Sequence, residues 1–345
     1  MEELCHALGV EEGSTDLNIG NISWMETLLA CALGLVTVEK SSSTIRLVHY
    51  TLQEYLSHNP NLFFKPHSTI AEVCLTYLNF RQVKDLSSTL RSVPPTVPFV
   101  EYASCHWGGA HARRETTESV KNLALKLLGG YDKHISSKML LLHRMDFWDR
   151  PFDQEDSPRG FTGLHGAAYL GCVEIIAALL EMGIWDTRAT DCNGNTTITW
   201  AARRGHEVVT RILLERSGVN PNIANKDGRT PLSFAAQNGR GAIVRILLER
   251  SDVNPDTADK DGRTPLSFAA QNGHEAVVSI LLELNEVNPD QLIKMAERGF
   301  RLLLGIGTKG LWGYYLNGTT SIPTKLTNTV KRRSHLLRRM GMKGL

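Results

Sequence analysis

The sequence predicts a mostly α-helical chain whose C-terminal half is a solenoid of repeated helical units. The first observation is a set of glycines spaced 34 residues apart, each followed by an apolar run with helical spacing: Gly160, Gly194, Gly228 and Gly262. The second is the order helix, strand, strand, helix in residues 24–58. The third is a series of helical runs between residues 60 and 150.

The composition is that of a globular protein, with 42% hydrophobic and 21% charged residues. Six cysteines lie far apart without a C-x-x-C pair, which is typical of buried thiols in a reducing compartment. The apolar stretch 27–38 is shorter than the roughly 20 residues that a membrane-spanning helix needs, and the N-terminal Met-Glu-Glu lacks the basic flank of a signal peptide. We therefore expect a cytoplasmic protein without a membrane span.

Residues 1–60 have the outline of a winged-helix domain. A predicted helix over 25–33 leads into an apolar run over 34–38, and a polar turn joins this run to a second strand over 45–49. A further helix begins at Thr51. The helix over 25–33 contains no Lys or Arg, so we do not expect it to read DNA in the major groove.

A helical connector is predicted over residues 61–150. Its helical runs cover 68–80, 98–106, 116–128 and 136–145. The side chains expected to form its core are Phe99, Tyr102, Trp107, Leu125 and Leu128. A polar, proline-containing stretch over 149–158 predicts a hinge before the repeats.

Each repeated unit predicts a short helix, a tight turn and a second, more apolar helix. In the third unit Thr230 caps the short helix and proline follows it, where a missing N–H costs nothing. Asn238-Gly239 ends this helix, and the apolar run 243–248 forms the second one. The third and fourth units share the twelve-residue block GRTPLSFAAQNG.

This pattern resembles the ankyrin repeat, whose T-P-L-H-x-A-A and V-V/I-x-x-L-L signatures recur over residues 160–290. The period is 34 residues instead of 33, and we place the extra residue in the Asn-Pro turns at 220–221 and 254–255. Ankyrin arrays carry no chemistry of their own and bind proteins. The resemblance therefore implies a protein-interaction module with a protein partner.

The resemblance also implies where that partner binds, because ankyrin arrays use their turn tips and short first helices. The matching positions, all expected to be exposed, are Lys226, Asp227, Arg229, Gln237 and Asn238 in the third unit, Lys260, Asp261, Arg263, Gln271 and Asn272 in the fourth, and Cys192, Asn193, Asn195, Arg203 and Arg204 in the second. Arg229 and Arg263 are the expected anchors, since arginine can bind carboxylates with two hydrogen bonds.

A second resemblance covers roughly residues 1–85 and continues through 101–113, and it rests on the strings VHYTLQEYL, PHSTIAEVCLTYLNF and EYASCHWGGAHAR. They are similar to the winged-helix part of fungal NACHT–ankyrin proteins, which are intracellular receptor-like ATPases of the STAND type. The G-x-x-x-x-G-K-[ST] loop that holds phosphate in the NACHT domain does not occur in this sequence. The resemblance implies the carboxy-terminal part of such a receptor, and as an alternative function the sensor or regulatory half of a nucleotide-driven switch.

The periodicity stops after Asp290. Residues 291–304 predict a helix that covers the last repeat. No Asp or Glu follows Glu297, whereas ten Lys or Arg do, so the net charge is −8 before that point and +10 after it. We expect a solvated, disordered tail over 305–345; the alternatives are a nuclear signal, a nucleic-acid patch or a contact with an anionic membrane.

No catalytic motif stands out in the sequence. There is no G-x-S-x-G turn, and the two H-E pairs lack the second histidine of H-E-x-x-H. Cys105, His106 and His111 resemble part of a zinc site, but no second ligand pair accompanies them. We expect a protein that is not an enzyme, with no cofactor and no metal.

Overall fold

The computed structural model describes most of the chain between residues 65 and 284 and short pieces before it. The described residues are 2–11, 13–22, Thr27, Ala32, 36–39, 44–47, 54–56, 58–59, 65–90, 92–144, 159–284 and Val287. Packing within the chain divides it into two units, Met1–Trp200 and Ala201–Leu345, and each is described by itself. The predicted hinge, capping helix and basic tail lie outside the described residues.

The first elements are short. They are α1 (Glu2–Leu8), a 3-10 turn (Ile19–Asn21), and the strands β1 (Val36–Glu39) and β2 (Thr44–Leu47). The strands form an antiparallel pair, which places Val36 opposite Leu47. Valine, isoleucine and threonine supply most of their residues, and these branched side chains favour a pleated strand.

This pair confirms the two strands predicted before residue 50. The flanking helices of the predicted winged-helix domain, over 25–33 and from Thr51, fall largely outside the described residues. The winged-helix assignment for residues 1–60 therefore stays a prediction.

In the described part of the region predicted as a connector, residues 65–90 and 92–144, five helices and a π-helical segment follow. They are α2 (Pro66–Leu78), α3 (Arg81–Lys84), α4 (Val100–His106), the π segment (Trp107–Ala112), α5 (Glu118–Leu128) and α6 (Ile135–Arg144). The four predicted helices are confirmed, with ends that shift by no more than two residues. The π segment was not predicted.

Helix α2 forms the centre of this region and contacts α4, the π segment and α5. Tyr77 on α2 meets Phe99 edge to face at 5.2 Å between ring centroids. Phe99, Trp107 and Leu128 are buried, as predicted. Tyr102 and Leu125 are only half-buried, because each lies on a helix face that is partly open to solvent.

A buried histidine connects two parts of this region. His134 Nε2 lies 3.1 Å from the carbonyl oxygen of Leu78, and its Nδ1 accepts the N–H of Ser136 at 3.1 Å. This arrangement requires the neutral ring with hydrogen on Nε2. Burial lowers the pKa of His134 to about 4, so the ring stays neutral near neutral pH.

The connector packs directly on the first repeat within the unit Met1–Trp200. That repeat contains α7 (Gly163–Leu170) and α8 (Val173–Glu181), and α5 contacts both helices. A Cβ atom at Gly166 would lie 2.6 Å from the Tyr131 ring, closer than any real Cβ contact. Glycine at this position therefore allows the close approach of the connector to the repeat.

The later repeats follow the predicted plan. Their helices are α9 (Thr197–Arg204), α10 (Glu207–Leu214), α11 (Pro231–Gln237), α12 (Gly241–Leu248), α13 (Pro265–Gln271) and α14 (Glu275–Leu282). Proline occupies the first turn of α11 and α13, and the preceding Thr230 and Thr264 accept the N–H of Ser233 and Ser267 at 3.3 Å. The predicted threonine cap is confirmed.

The helices of consecutive repeats contact each other in the unit Ala201–Leu345. Helix α11 contacts α13, and α12 contacts both α10 and α14. The apolar face of α12 is buried at Ile243, Val244, Ile246 and Leu247. This packing confirms the predicted solenoid for these repeats.

The extra residue of the 34-residue period takes part in bonds between repeats. Asn220 and Asn254 each accept, on the side-chain oxygen, an N–H two residues later at 2.9 Å. Asn222 then donates its side-chain amide to the carbonyl oxygen of Asp252 at 2.6 Å. The Asn-Pro turns at the ends of the second and third repeats are thereby joined.

Candidate functional site

The tip turns, which we define as residues 191–195, 225–229 and 259–263, share one construction; the candidate surface is built on the two that lie in the unit Ala201–Leu345. An Asp or Asn side chain begins each turn: Asp191, Asn225 and Asp259. In each case one side-chain oxygen accepts the N–H groups two and four residues later, at 2.8–3.0 Å. These three residues were missed in the sequence, although they recur every 34 residues and are of the type that closes such turns.

Neighbouring tip turns are joined through the backbone. The N–H of Lys260 donates to the carbonyl oxygen of Asp227 at 2.9 Å. The same bond recurs in the first two repeats, where Cys192 donates to Arg159 at 2.9 Å. Because only backbone atoms take part, the spacing of the tips does not depend on their side chains.

Six of the predicted binding residues are exposed. They are Lys226, Asp227, Lys260, Asp261, Gln271 and Asn272. Gln237 and Asn238 are half-buried. Asn238 and Asn272 also end their helices, since each donates its side-chain amide to a phenylalanine carbonyl oxygen at 2.9 Å.

The expectation that the second repeat exposes all five of its candidate residues is wrong for two of them. Arg203 is only 9% exposed, and its guanidinium lies 5.3 Å from the centre of the Phe234 ring. Asn195 is buried and donates its side-chain amide to Asp191 at 3.0 Å. Cys192, Asn193 and Arg204 are half-buried. Arg203 and Asn195 thus contribute to the packing of the array.

Arg229 and Arg263 also differ from the expectation of open side chains. Both guanidinium groups lie 5.0 Å from the centre of the Phe268 ring. Arg263 donates to Asp259 at 2.9 Å, and Arg229 lies 3.6 Å from the same carboxylate, whose side chain is 1% exposed. The two arginines are held by a buried aspartate and an aromatic ring, so they are less available to a partner than the sequence suggested.

The first repeat keeps the histidine of the T-P-L-H signature. His165 Nδ1 accepts the N–H of Thr162 at 3.2 Å, and its Nε2 lies 3.2 Å from the carbonyl oxygen of Ala189. Burial lowers the pKa of His165. Ser233 and Ser267 take the same place in the third and fourth repeats. Each still hydrogen-bonds the hydroxyl of its capping threonine, but the shorter side chain does not span the distance that His165 spans to the Ala189 carbonyl oxygen.

Two kinds of feature are absent from the part of the chain that the structure describes. No three His, Cys, Asp or Glu side chains converge there in a way that could hold a metal ion. None of the described helices has the length and apolar character needed to cross a bilayer.

A comparison with protein families accounts for these repeats. The family described as ankyrin repeats (3 copies) matches residues 112–225 and 210–292, which together span just over half of the chain. The match begins at Ala112, inside the predicted connector, and so includes α5, the helix that packs on the first repeat. The chain belongs to the ankyrin-repeat family.

Proposed function

We propose that this protein is an interaction module that binds a protein partner through its third and fourth ankyrin repeats. Ankyrin repeats suggest such a role in general. The observation that carries the proposal is the rigid display of polar groups on the tip turns. Backbone hydrogen bonds fix these turns, while Lys226, Asp227 and Lys260 remain exposed on them.

The binding surface proposed here is narrower than the set of residues first expected. It includes the exposed tip residues and Gln271 at the end of α13. Arg203, Arg229 and Arg263 lie beneath it and shape it through their contacts with phenylalanine rings. A partner would therefore meet the lysines, Asp227 and the helix-end amides before it met the arginines.

Site-specific photocrosslinking tests this surface in the full chain. A benzophenone amino acid replaces Asp227 or Gln271 on the proposed surface. As matched controls it replaces Ala242 on α12 or Glu283 directly after α14, since all four positions are exposed. We expect a discrete crosslinked protein from the first pair and none from the second. Crosslinks that arise only from Ala242 or Glu283 would place the binding surface on the other side of the repeats.

We further propose that the chain corresponds to the carboxy-terminal part of a fungal NACHT–ankyrin receptor and acts in signalling. The support is the resemblance of residues 1–85 and 101–113 together with the antiparallel pair β1 and β2, which a winged-helix domain requires. A P-loop reading frame directly upstream in the gene would support this proposal and its switch alternative. A stop codon in place of such a frame would contradict both.

We propose that the protein has no enzymatic activity of its own and acts in the cytoplasm. Purified protein should not hydrolyse ATP or GTP, because the sequence contains no phosphate-binding loop. Turnover that co-purifies with the chain through several columns would contradict this. A nuclear or nucleic-acid role of the tail predicts that deletion of residues 324–345 abolishes nuclear accumulation or salt-sensitive binding.

A further inference from the structure

Charge is unevenly distributed over the described repeats of the unit Ala201–Leu345. Residues 201–284 carry eleven Lys or Arg and ten Asp or Glu, which is close to neutral. The proposed surface and the helix ends beside it, at 203–204, 226–229, 240 and 259–263, hold seven of the basic residues and three of the acidic ones. The other segments, which include the second helices, hold four basic and seven acidic residues.

Internal contacts on the proposed surface pair carboxylates with arginines, which leaves its excess of positive charge unchanged. Asp259 is buried between Arg229 and Arg263, and Asp261 accepts a hydrogen bond from Arg263 at 2.6 Å. Two of the three carboxylates are therefore already neutralised by arginine. Among the described residues of this surface, Asp227 is the remaining carboxylate without an ion pair.

Three cations, two on this surface and one at the helix end beside it, have no such internal partner. Lys226, Lys260 and Arg240 are exposed, and none of them forms an ion pair with the described residues. The bond from Lys260 N–H to the Asp227 carbonyl sets the two lysines in neighbouring turns. Arg240 lies against Gly205. It follows the C-terminal end of α11, whereas the tip turn precedes the N-terminal end, and the seven residues of this helix span about 10 Å.

We propose that the partner bound by these repeats is acidic, and that its carboxylates bind Lys226 and Lys260 on the tip turns. This inference rests on the proposed function and adds the chemistry of the partner. Complementary charge mainly selects the partner and speeds its association, and carboxylates on a protein segment fit two lysines separated by one repeat. Asp227, adjacent to Lys226, disfavours the continuous negative charge of a nucleic acid.

Binding of an acidic probe tests the proposal on the full chain. The probe is a fluorescein-labelled twelve-residue peptide of alternating Glu and Gly, and a peptide of alternating Ser and Gly is the neutral control. The test variant is Lys226→Glu with Lys260→Glu. The matched variant is Arg216→Glu with Arg245→Glu, which changes the net charge equally at exposed positions outside the proposed surface. The basic tail is the same in all three proteins.

We expect the dissociation constant of the acidic peptide to rise about tenfold or more in the lysine variant, and to change less than about twofold in the arginine variant. Equal weakening in both variants, or no binding of the acidic peptide, would overturn the proposal. A labelled single-stranded oligonucleotide that binds more tightly than the peptide and loses affinity in the lysine variant would also overturn it in favour of nucleic acid.

The photocrosslinks separate this inference from the proposed function. If the crosslink from Gln271 persists in the variant Lys226→Glu with Lys260→Glu, the proposed surface is supported and the proposal of an acidic partner is contradicted. If no crosslink forms from Asp227 or Gln271 in the unmodified background, the proposed function itself fails. Thermal unfolding of each variant confirms that the fold is retained, as expected for exposed side chains.

Discussion

The third and fourth repeats are identical from residue 226 to 239 and from 260 to 273, yet their arginines make different contacts. Arg263 hydrogen-bonds Asp259 at the start of its own tip turn and Asp261 within it. Arg229 forms no ion pair in its own repeat, all of which is described. It lies instead 3.6 Å from Asp259 in the following repeat.

The difference arises from a residue just outside the identical segment. The fourth repeat has Asp259 four residues before its arginine, whereas the third has the neutral Asn225. Both side chains hold the turn by accepting two N–H groups, but only the carboxylate attracts a guanidinium. Arg229 therefore connects two repeats, while Arg263 stabilises one. Identical segments need not have identical roles in a repeat array.

The largest effect is expected in the apolar packing that both repeats share. Leu247→Ala removes a fully buried side chain from α12, which contacts both α10 and α14, and should cost about 2–5 kcal/mol of unfolding free energy. Leu281→Ala, at the same position one repeat later, removes an equally buried side chain and should cost a similar amount. Urea unfolding measures both. Val208→Ala, at a position 56% exposed, is the control, and equal losses in all three variants would contradict this account.

The next effect distinguishes the two residues that begin the turns. Asp259→Ala removes the acceptor of two backbone N–H groups and of Arg263, together with the ion pair to Arg229 at 3.6 Å, and should cost about 2 kcal/mol or more. Asn225→Ala removes the two backbone bonds and should cost about 1 kcal/mol. Urea midpoints for the two variants provide the measurement. A larger loss at Asn225 would mean that the arginine contacts contribute little.

A smaller effect tests the bond between repeats directly. A double-mutant cycle with Arg229→Ala and Asp259→Asn should give a coupling free energy of about 1 kcal/mol, since the carboxylate is buried. In an Asn225→Asp background the coupling should fall toward zero, because Arg229 gains a carboxylate in its own turn. An unchanged coupling in that background would show that Asn225 does not direct the arginine.

The smallest effect is expected on the second helices. Arg211 donates two hydrogen bonds to Glu249, while Arg245 and Glu283, at the same positions one repeat later, form no ion pair with any residue that the structure describes. Because all four side chains are exposed, Glu249→Gln and Glu283→Gln should both unfold at the same urea concentration as the unmodified protein. A measurable loss for Glu249→Gln alone would show that this exposed pair stabilises the array.

The repeats could be predicted from sequence because their signals are local. Thr230 caps, proline begins the helix and Gly239 ends it with a φ of +66°, all within ten residues of each other. The helical connector was predictable for the same reason. The packing of the connector on the first repeat was not predictable, because the need for glycine at position 166 arises from its contact with Tyr131, which is distant in sequence.

The candidate surface was predicted less well than the fold. Position within a repeat correctly indicated that Lys226 and Lys260 are exposed. It could not indicate that Arg203 lies over Phe234, because that contact joins side chains about one repeat apart. Whether a long basic side chain lies on a ring or extends into solvent depends on how the repeats stack, and no single repeat contains that information.

Because the bond between Lys260 and Asp227 uses only backbone atoms, these repeats can dock in the same way whatever side chains their surface carries. Substitutions at residues 226, 227 and 260 leave both bonded atoms in place, unless proline replaces Lys260. These codons can therefore drift, or be randomised in a library, while the repeats continue to dock in the same register. Selection can act on what this surface recognises without first having to preserve how it folds.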